Sequence, residues 1–334
     1  MRKINKQPSE QMTKLLRDSG SNDIRVAQSA TKQLAIALQV PLRQGVVSGD
    51  ITGGIFERIQ FGPGAAVEFP LDFLQPGTEK DHVAYAIPNQ GRIPERHIEG
   101  DFVTLPTYDI GNSVDWLLKY ARDARWDVVS RAMQVLEAGF VKKTNDDAWH
   151  TILAAGADRN IVVYDSAASN GQFTKRLVSL GKTVMRRNGG GNSTSINRGK
   201  LTDLYLSPEG VEDIRDWGVD QLDEITRREV FQSEDGSMNR IFGVNLHDID
   251  ELGVGQEYQL FFTSGLSGSL NGTDTELAVG LDLRTSDSFV NPVRQEVEVF
   301  EDPELHRKRK AGLYAWAEHG FGILDNRRVI LLSF

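Results

Sequence analysis

The chain has 334 residues, 25% of them charged, and a net charge of −9. At roughly 100–200 residues per domain, this length predicts about two domains with a substantial core. Cysteine is absent, which excludes disulfides, thiolate metal sites and cysteine nucleophiles. No stretch approaches the ~20 apolar residues of a membrane helix, so we expect no membrane partner.

The first 44 residues differ in charge from the rest of the chain. They hold eight lysines and arginines against three acids, a local charge of +5, and the remaining residues have a charge of −14. Within them, Leu34–Leu38 predicts a helix that stops before Pro41. A basic arm on an acidic body has two interpretations: a solvated leader, or a segment that lies on a neighbouring copy or a polyanion.

Residues 45–111 hold six of the eleven prolines and still alternate in polarity. Short strands are predicted at 58–61, 66–69 and 83–87, and Leu71–Asp81 has the Pro-Gly chemistry of a hairpin tip. The stretch has too few apolar residues for a core of its own, and isolated hairpins are marginal in water. We therefore expect an extended two-stranded hairpin that another subunit stabilises.

A long helix is predicted over Asn112–Ala138, because its apolar residues recur at helical spacing. Gly139 is predicted to end this helix, and a second one is predicted from about Thr144 to Ala154. After residue 160 the pattern becomes mixed α/β. Its predicted elements are a helix at 173–187, a strand at 201–206, a helix that Ser207 caps, and strands at 258–263, 277–283 and 296–300, with two terminal strands at 313–319 and 328–332.

Three segments resemble catalytic or binding motifs but lack a required residue at the required position. Gly181-Lys182-Thr183 lacks the first glycine of a phosphate-binding loop, since position 176 is arginine, and the glycine run at 189–191 lacks the third glycine of a dinucleotide fingerprint. Asp248–Gly253 lacks the ligands of a calcium loop. We expect helix, loop and turn at these three places.

The histidines and the remaining motifs give no site either. The six histidines include no i, i+4 pair, and Gly265–Gly268 does not have the spacing of a nucleophile elbow. The basic run Arg307–Lys310 is either an intersubunit or polyanion contact or a solvated loop beside acidic residues. We expect no catalytic residue, no cofactor and no metal, and therefore a protein that is not an enzyme.

The order of the elements resembles that of the major capsid proteins of tailed bacteriophages, which have the Hong Kong 97-type fold. The resemblance spans essentially the whole chain: a basic arm, a Pro/Gly-rich hairpin, a very long helix, an α/β domain and a strand return. Local phrases that fit the family are Glu68–Pro70, Ala84–Pro88, Gly91–Pro94, Val103–Ile110, Ile241–Leu246, Leu277–Gly280, Lys308–Gly312 and Gly320–Asp325.

The resemblance implies an α+β fold in four parts. Residues 1–44 would be the N-terminal arm and 45–111 the extended loop. Residues 112–160 and 292–334 would form the peripheral domain with the spine helix, and 161–291 the axial domain. Some relatives cross-link a loop lysine to an asparagine. Lys80 is the only lysine of the loop region, and it is either such a group or an exposed lysine at the tip.

The same resemblance implies the function and the partners. The chain would be a major capsid protein that assembles from hexamers and pentamers into an icosahedral shell around phage double-stranded DNA, in a virion built in the host cytoplasm. The DNA would be contacted weakly and non-specifically. Because only about 44 residues precede the loop, we expect a separate scaffolding protein or prior cleavage. The resemblance also implies a portal, and it leaves the presence of a decoration protein open.

Two alternatives stay open. An encapsulin-like shell shares the fold and encloses an enzyme cargo, so its contents would distinguish it. An acidic enzyme with a Pro/Gly-rich lid would have an ordered lid in a dilute monomer and a pocket with perturbed carboxylates.

Overall fold

The structure is a computed structural model that describes residues 10–62, 64–70, 102–188, 199–217, 240–272, 275–284 and 288–334. The chain divides into two units. Unit 1 comprises Met1–Val67, Leu105–Ala148 and Asn291–Phe321, and unit 2 comprises Glu68–Thr104, Trp149–Val290 and Gly322–Phe334. The mixture of helices and sheets confirms the predicted α+β class.

Unit 1 begins with two helices, α1 (Glu10–Ser19) and α2 (Ile24–Gly49). Asp23 caps α2, since its carboxylate accepts the amide of Arg25 at 3.0 Å. Leu34, Leu38 and Leu42 of α2 lie in the core of unit 1. For residues 10–44, the solvated-leader interpretation of the arm is therefore wrong.

Pro41 does not end its helix, as the sequence had predicted, because α2 continues to Gly49. Proline removes one backbone donor, which leaves the carbonyl four residues earlier without its helical partner. That residue, Ala37, is exposed, so water can reach its carbonyl. Leu38 and Leu42 are buried on either side of the proline and hold the helix on the core.

The sheet of unit 1 has the strand order β1-β10-β11-β4. Its strands are β1 (Glu57–Gln60), β4 (Tyr108–Leu117), β10 (Phe289–Glu301) and β11 (Lys310–His319). The ladder between β4 and β11 is antiparallel and ten residues long, from Lys310 opposite Leu117 to His319 opposite Tyr108. In unit 2, the first residues of β10 pair with β12 (Gly322–Ile323).

The predicted helix over Asn112–Ala138 is wrong at its start, since residues up to Leu117 belong to β4. Ile110 and Trp116 are buried and Val114 is half-buried, which is the period-two pattern of a strand. Val114, Leu117 and Leu118 also fit a helical spacing. The strand forms because residues 108–117 pair with β11 along the whole ladder.

The long helix, α4, spans Trp126–Asp158 after a short helix α3 (Leu118–Arg122). The predicted break at Gly139 and the separate helix at 144–154 are both wrong. Gly139 lies inside α4, where a Cβ would come within 2.5 Å of the Asn112 side-chain nitrogen. The glycine therefore serves close packing against β4 rather than termination.

Unit 2 is built on a six-stranded sheet of order β5-β13-β9-β6-β8-β7. The strands are β5 (Val162–Tyr164), β6 (Asp203–Leu206), β7 (Arg240–Ile241), β8 (Val244–Asp248), β9 (Leu277–Leu281) and β13 (Val329–Ser333). A separate two-stranded ribbon joins β2 (Glu68–Pro70) and β3 (Phe102–Thr104).

Helices cover both faces of the six-stranded sheet. On one face, α5 (Lys175–Asn188) and α6 (Pro208–Asp216) share a core with Leu204 and Leu332. On the other face, the ring of Trp149 on α4 lies 5.0 Å from that of Tyr205 and 5.8 Å from that of Tyr258. The Ser207 cap and Pro208 start of α6 are confirmed, since the Ser207 hydroxyl accepts the amide of Gly210.

The predicted strand at 258–263 is wrong. Residues Glu257–Leu260 form helix α7, and Phe261–Gly265 form a π-helical turn. Tyr258 and Phe262 are both almost fully buried and lie four residues apart, which is a helical spacing. Three 3₁₀ helices complete the described elements, at Asp250–Leu252, Pro303–Lys308 and Asn326–Arg328.

The two sides of α2 give a direct test of this packing. We expect Leu34→Ala to lower the free energy of unfolding by about 2–5 kcal/mol, because Leu34 is fully buried. Ile36→Ala, on the exposed side of the same helix, should change it by no more than about 0.5 kcal/mol. Denaturant titration of both variants measures the difference, and equal effects would contradict the placement of α2.

Candidate assembly surfaces

The ribbon of β2 and β3 marks where the predicted extended loop begins. Its register places Glu68 opposite Thr104 and Pro70 opposite Phe102. The tip at 71–81, the strand at 83–87 and Lys80 all lie outside the described residues. The structure therefore shows a paired start for a hairpin, and the remainder of the extended loop stays a prediction.

The segments that lead to this ribbon are tied to the sheet of unit 1. The amide of Phe61 donates to the carbonyl of Val293 at 2.9 Å, and the guanidinium of Arg294 donates to the carbonyl of Ala65 at 2.9 Å. On the return side, the hydroxyl of Thr107 donates to Glu318 at 2.7 Å. Both segments are thus fixed by hydrogen bonds to β10 or β11 before the ribbon starts.

An aromatic cluster surrounds the buried side chain of His319 at the end of β11. The His319 ring lies 5.9 Å from that of Tyr108 and 5.4 Å from that of Phe321, which in turn contacts Phe56 at 5.1 Å. Tyr108 donates its hydroxyl to Asp147 at 2.9 Å, and burial together with this carboxylate raises its pKa. Within the described residues, the buried Nε2 of His319 has no hydrogen-bond partner.

Burial lowers the pKa of His319 to about 4, since the apolar surroundings disfavour the imidazolium. The charged groups that face it have opposing effects. Asp147 and Asp50 raise the pKa, whereas Arg58 and Lys143 lower it. His319 is therefore neutral at pH 7. The sequence did not single it out, because nothing in the local sequence distinguishes it from the other five histidines.

Helix α2 has a second apolar face opposite its buried one. Ile36, Val40 and Val47 are exposed by 60%, 59% and 58%, and Ile51 beyond the helix end is exposed by 56%. At 100° per residue, the steps of four and seven place Ile36, Val40 and Val47 within about 40° of one another. Ile51 follows the extended C-cap Asp50 and is exposed just beyond this stripe. This spacing was visible in the sequence, but the prediction of a short helix ending at Pro41 hid it.

Between Gln33 and Gly49 the chain has a single charged residue, Arg43. At 100° per residue, Arg43 begins about 20° from Ile36, on the same side of the helix. Its guanidinium donates to the carbonyl of Val297 at 2.7 Å and approaches Glu296 and Glu298 of β10. Exposed aliphatic side chains that gather on one side of a helix mark an interaction surface. The exposed stripe is therefore a candidate interface.

The motifs that failed on spacing are structural in the fold. Gly181–Thr183 lies inside α5, where Gly181 packs close to Leu332 and Lys182 donates to the carbonyl of Phe242 at 2.8 Å. Part of the calcium-like stretch 248–253 forms a 3₁₀ helix. The glycine run at 189–191 lies outside the described residues.

The basic run Arg307–Lys310 ends a 3₁₀ helix and begins β11. Arg307, Lys308 and Arg309 are exposed, and Lys310 pairs with Asp115 of β4 at 2.6 Å. These contacts are compatible both with an intersubunit or polyanion contact and with a solvated loop.

Among the described residues, no three side chains of histidine, aspartate or glutamate come together in a way that could hold a metal ion. No helix in the same residues has both the length and the apolar character needed to cross a bilayer.

Comparisons with solved structures decide the fold. No protein-family model matches the sequence, and no curated protein matches it. A chain from Microbacterium phage Oxtober96 superposes with a TM-score of 0.57 at 12% identity, covering 86% of this chain and 90% of that one. The chain has the Hong Kong 97-type capsid fold.

Two other capsid structures agree with this assignment. The head of Helicobacter pylori bacteriophage KHP40 gives a TM-score of 0.54 at 12% identity over 84% of this chain and 88% of that one. The mature capsid of bacteriophage PhiM1 gives 0.51 at 12% identity over 85% and 86%. The predicted capsid fold is confirmed, and the bounds of its four parts stay predictions.

The His319 cluster predicts a pH dependence of stability. The folded pKa, about 4, lies below the ordinary value of 6.5, so the unfolded chain binds the proton more readily. This contribution is complete above pH 6.5 and falls as the pH drops towards 4. Between pH 7 and pH 5, protonation of His319 should lower the unfolding free energy of the parent chain by about 2 kcal/mol. We expect the His319→Leu variant to lack this decrease.

Denaturant titrations at the two pH values measure this change. His306→Leu is the matched control, because it makes the same substitution at a half-buried histidine outside the His319 cluster. An unchanged pH dependence in His319→Leu would show that the His319 cluster is not the source.

Proposed function

We propose that this chain is the major capsid protein of a tailed bacteriophage, many copies of which assemble into an icosahedral shell around double-stranded DNA. The observation that carries the proposal is the capsid fold, shared with phage heads over more than four-fifths of both chains. The neighbours are shell components, so the fold favours a structural protein over the acidic enzyme with a lid.

The exposed stripe of α2 supports a multi-copy assembly. Three aliphatic side chains, each more than half exposed, line one side of a helix whose other side is core, and Ile51 is exposed just beyond the helix end. Apolar surface of this kind gains roughly 25 cal/mol for each Å² that is removed from water. We propose a second copy of the chain as the covering partner, since the fold is that of proteins that pack against their own copies in shells.

The finer features of the assembly belong to the same proposal. Copies form hexamers and pentamers, with a separate scaffolding protein, a portal and a decoration protein as partners. The net charge of −9 favours weak, non-specific contact with packaged DNA. The product is a virion assembled in the host cytoplasm.

The four predicted parts define where these contacts occur. The arm is residues 1–44, the extended loop 45–111, the peripheral domain 112–160 with 292–334, and the axial domain 161–291. The paired strands β2 and β3 support the start of the extended loop, which reaches a neighbouring copy. Rings of axial domains form the five- and six-fold vertices.

Negative-stain microscopy of the expressed full-length chain tests the proposal. We expect closed particles, and a chain that stays monomeric at all concentrations in sedimentation would overturn it. The contents of native particles separate the two kinds of shell. Nuclease-protected DNA supports the capsid, and a packaged enzyme supports the encapsulin-like alternative.

The α2 stripe gives a specific prediction. We expect Ile36→Asp with Val40→Asp to abolish assembly and to keep the circular dichroism of the parent chain, because both positions are exposed in the subunit. The matched control is Ile36→Leu with Val40→Leu, which keeps the stripe apolar and should still form particles. Normal particles from the aspartate variant would show that the stripe is not an interface.

A further inference from the structure

The strands of unit 2 give its sheet two chemically different edges. Strands β5, β6, β8 and β13 are all parallel, because β13 pairs parallel with β5, β6 pairs parallel with β8, and β9 runs antiparallel to both β13 and β6. Their amino ends therefore meet at one edge of the sheet and their carboxyl ends at the other. We call these the amino edge and the carboxyl edge.

The amino edge is basic. It brings together the residues just before these strands, the end of α5 and the start of the chain after β9. Contacts hold them together: Gly199 lies against the backbone of Met185, and Lys182 donates to the carbonyl of Phe242. The described cations of this edge are Arg159, Lys182, Arg186, Arg187, Lys200, Arg240, Arg284, Arg327 and Arg328, and its acids are Asp158, Asp203, Asp282 and Asp325.

The acids of the amino edge are largely neutralised inside the unit. Asp282 is fully buried and contacts Arg284 at 2.7 Å and Arg328 at 3.3 Å. Asp325 pairs with Arg327 at 2.8 Å. The described charged side chains left exposed at this edge are mostly cations, namely Arg186, Arg187, Lys200, Arg240 and Arg284, against the one exposed acid Asp158.

The carboxyl edge is acidic. Its parts are joined by a hydrogen bond from the amide of Ile249 to the carbonyl of Leu206 at 2.8 Å, and by one between Ser207 and Glu276. The described acids there are Asp165, Glu209, Glu212, Asp213, Asp216, Asp248, Asp250, Glu251, Glu257 and Glu276, against the cations Lys175, Arg176 and Arg215. The described residues of unit 2 are therefore strongly polarised in charge from one edge of its sheet to the other.

Each edge also exposes an apolar side chain among its charges. Phe242 forms the turn between β7 and β8 with a φ of +48°, followed by Gly243 at +76°, and is 41% exposed. A bulky residue is unfavourable in this left-handed conformation. At the carboxyl edge, Val254 is 46% exposed beside the acidic 3₁₀ helix. An apolar anchor within a charged rim is the usual anatomy of an interface.

We propose that the amino edge of one copy docks on the carboxyl edge of the next copy. The inference rests on the proposed shell function and names the surfaces that join neighbouring subunits. Each copy carries both complementary charges, so the contact is head-to-tail and can close into rings. A nucleic acid would complement the cations but would leave Phe242 without an apolar partner on the phosphate backbone.

Charge exchange tests the contact. Arg187→Glu with Arg240→Glu reverses the amino edge, and Glu212→Lys with Asp216→Lys reverses the carboxyl edge. All four residues are exposed. We expect each pair alone to raise the subunit concentration needed for particle formation about tenfold or more, since like charges then face each other. The chain carrying all four changes should assemble within about threefold of the parent.

The matched control is Arg125→Glu with Arg131→Glu, which makes the same charge change at two exposed residues of unit 1 that belong to neither edge. It should leave assembly unchanged. Light scattering and negative-stain microscopy follow particles, and circular dichroism checks that every variant is folded. Sedimentation of the soluble species measures the pairwise contact independently of shell closure.

Three outcomes would overturn the proposal. In the first, the fourfold variant assembles no better than the two pairs. In the second, the control impairs assembly as much as they do. In the third, the Arg187 and Arg240 variant forms normal particles that retain less DNA, which assigns the amino edge to a polyanion. The parent chain could also form no particles while its soluble copies still associate, with that association lost in each charge-reversed pair and restored in the chain with all four changes. This result would contradict the proposed shell function and not this contact.

Discussion

The structure depends on one helix that has more apolar surface than its own chain covers. The leucines of α2 fix the helix on the sheet of unit 1, and the opposite stripe from Ile36 to Val47, with Ile51 just beyond it, leaves four aliphatic side chains in solvent. Removing such surface from water is the main favourable contribution to association. A chain built in this way is a folded subunit that gains further stability when copies pack together.

In the proposed assembly, charge acts alongside this apolar contact and gives it direction. In unit 2, a parallel arrangement of four strands collects cations at one edge and anions at the other. Apolar burial is not directional, whereas opposite charges select which surfaces meet and in which orientation. A subunit with both edges can join a neighbour head-to-tail, and a net charge of −9 opposes random association.

Sequence reasoning was most reliable where one local signal acted alone. The Ser207-Pro208 start of α6, the buried strands β6 and β9 and the helix α5 were all predicted and are confirmed. It failed where two signals competed. The apolar residues of 112–117 fit the spacing of a helix and also that of a strand. Pro41 and Gly139 usually break helices, but tertiary packing keeps both inside a helix. The isolated histidine His319 carried no signal until its surroundings were known.

By itself, the sequence determined the mixture of helices and strands and the basic character of the first 44 residues, because these follow from composition and local periodicity. The α+β class and the capsid-like order of elements came from the resemblance to a known family. Only the tertiary structure decided which face of α2 is core, that His319 is buried, and that the charges of unit 2 separate to opposite edges. Those properties depend on residues far apart in the chain. Strand direction and packing bring them together, and no local pattern encodes either.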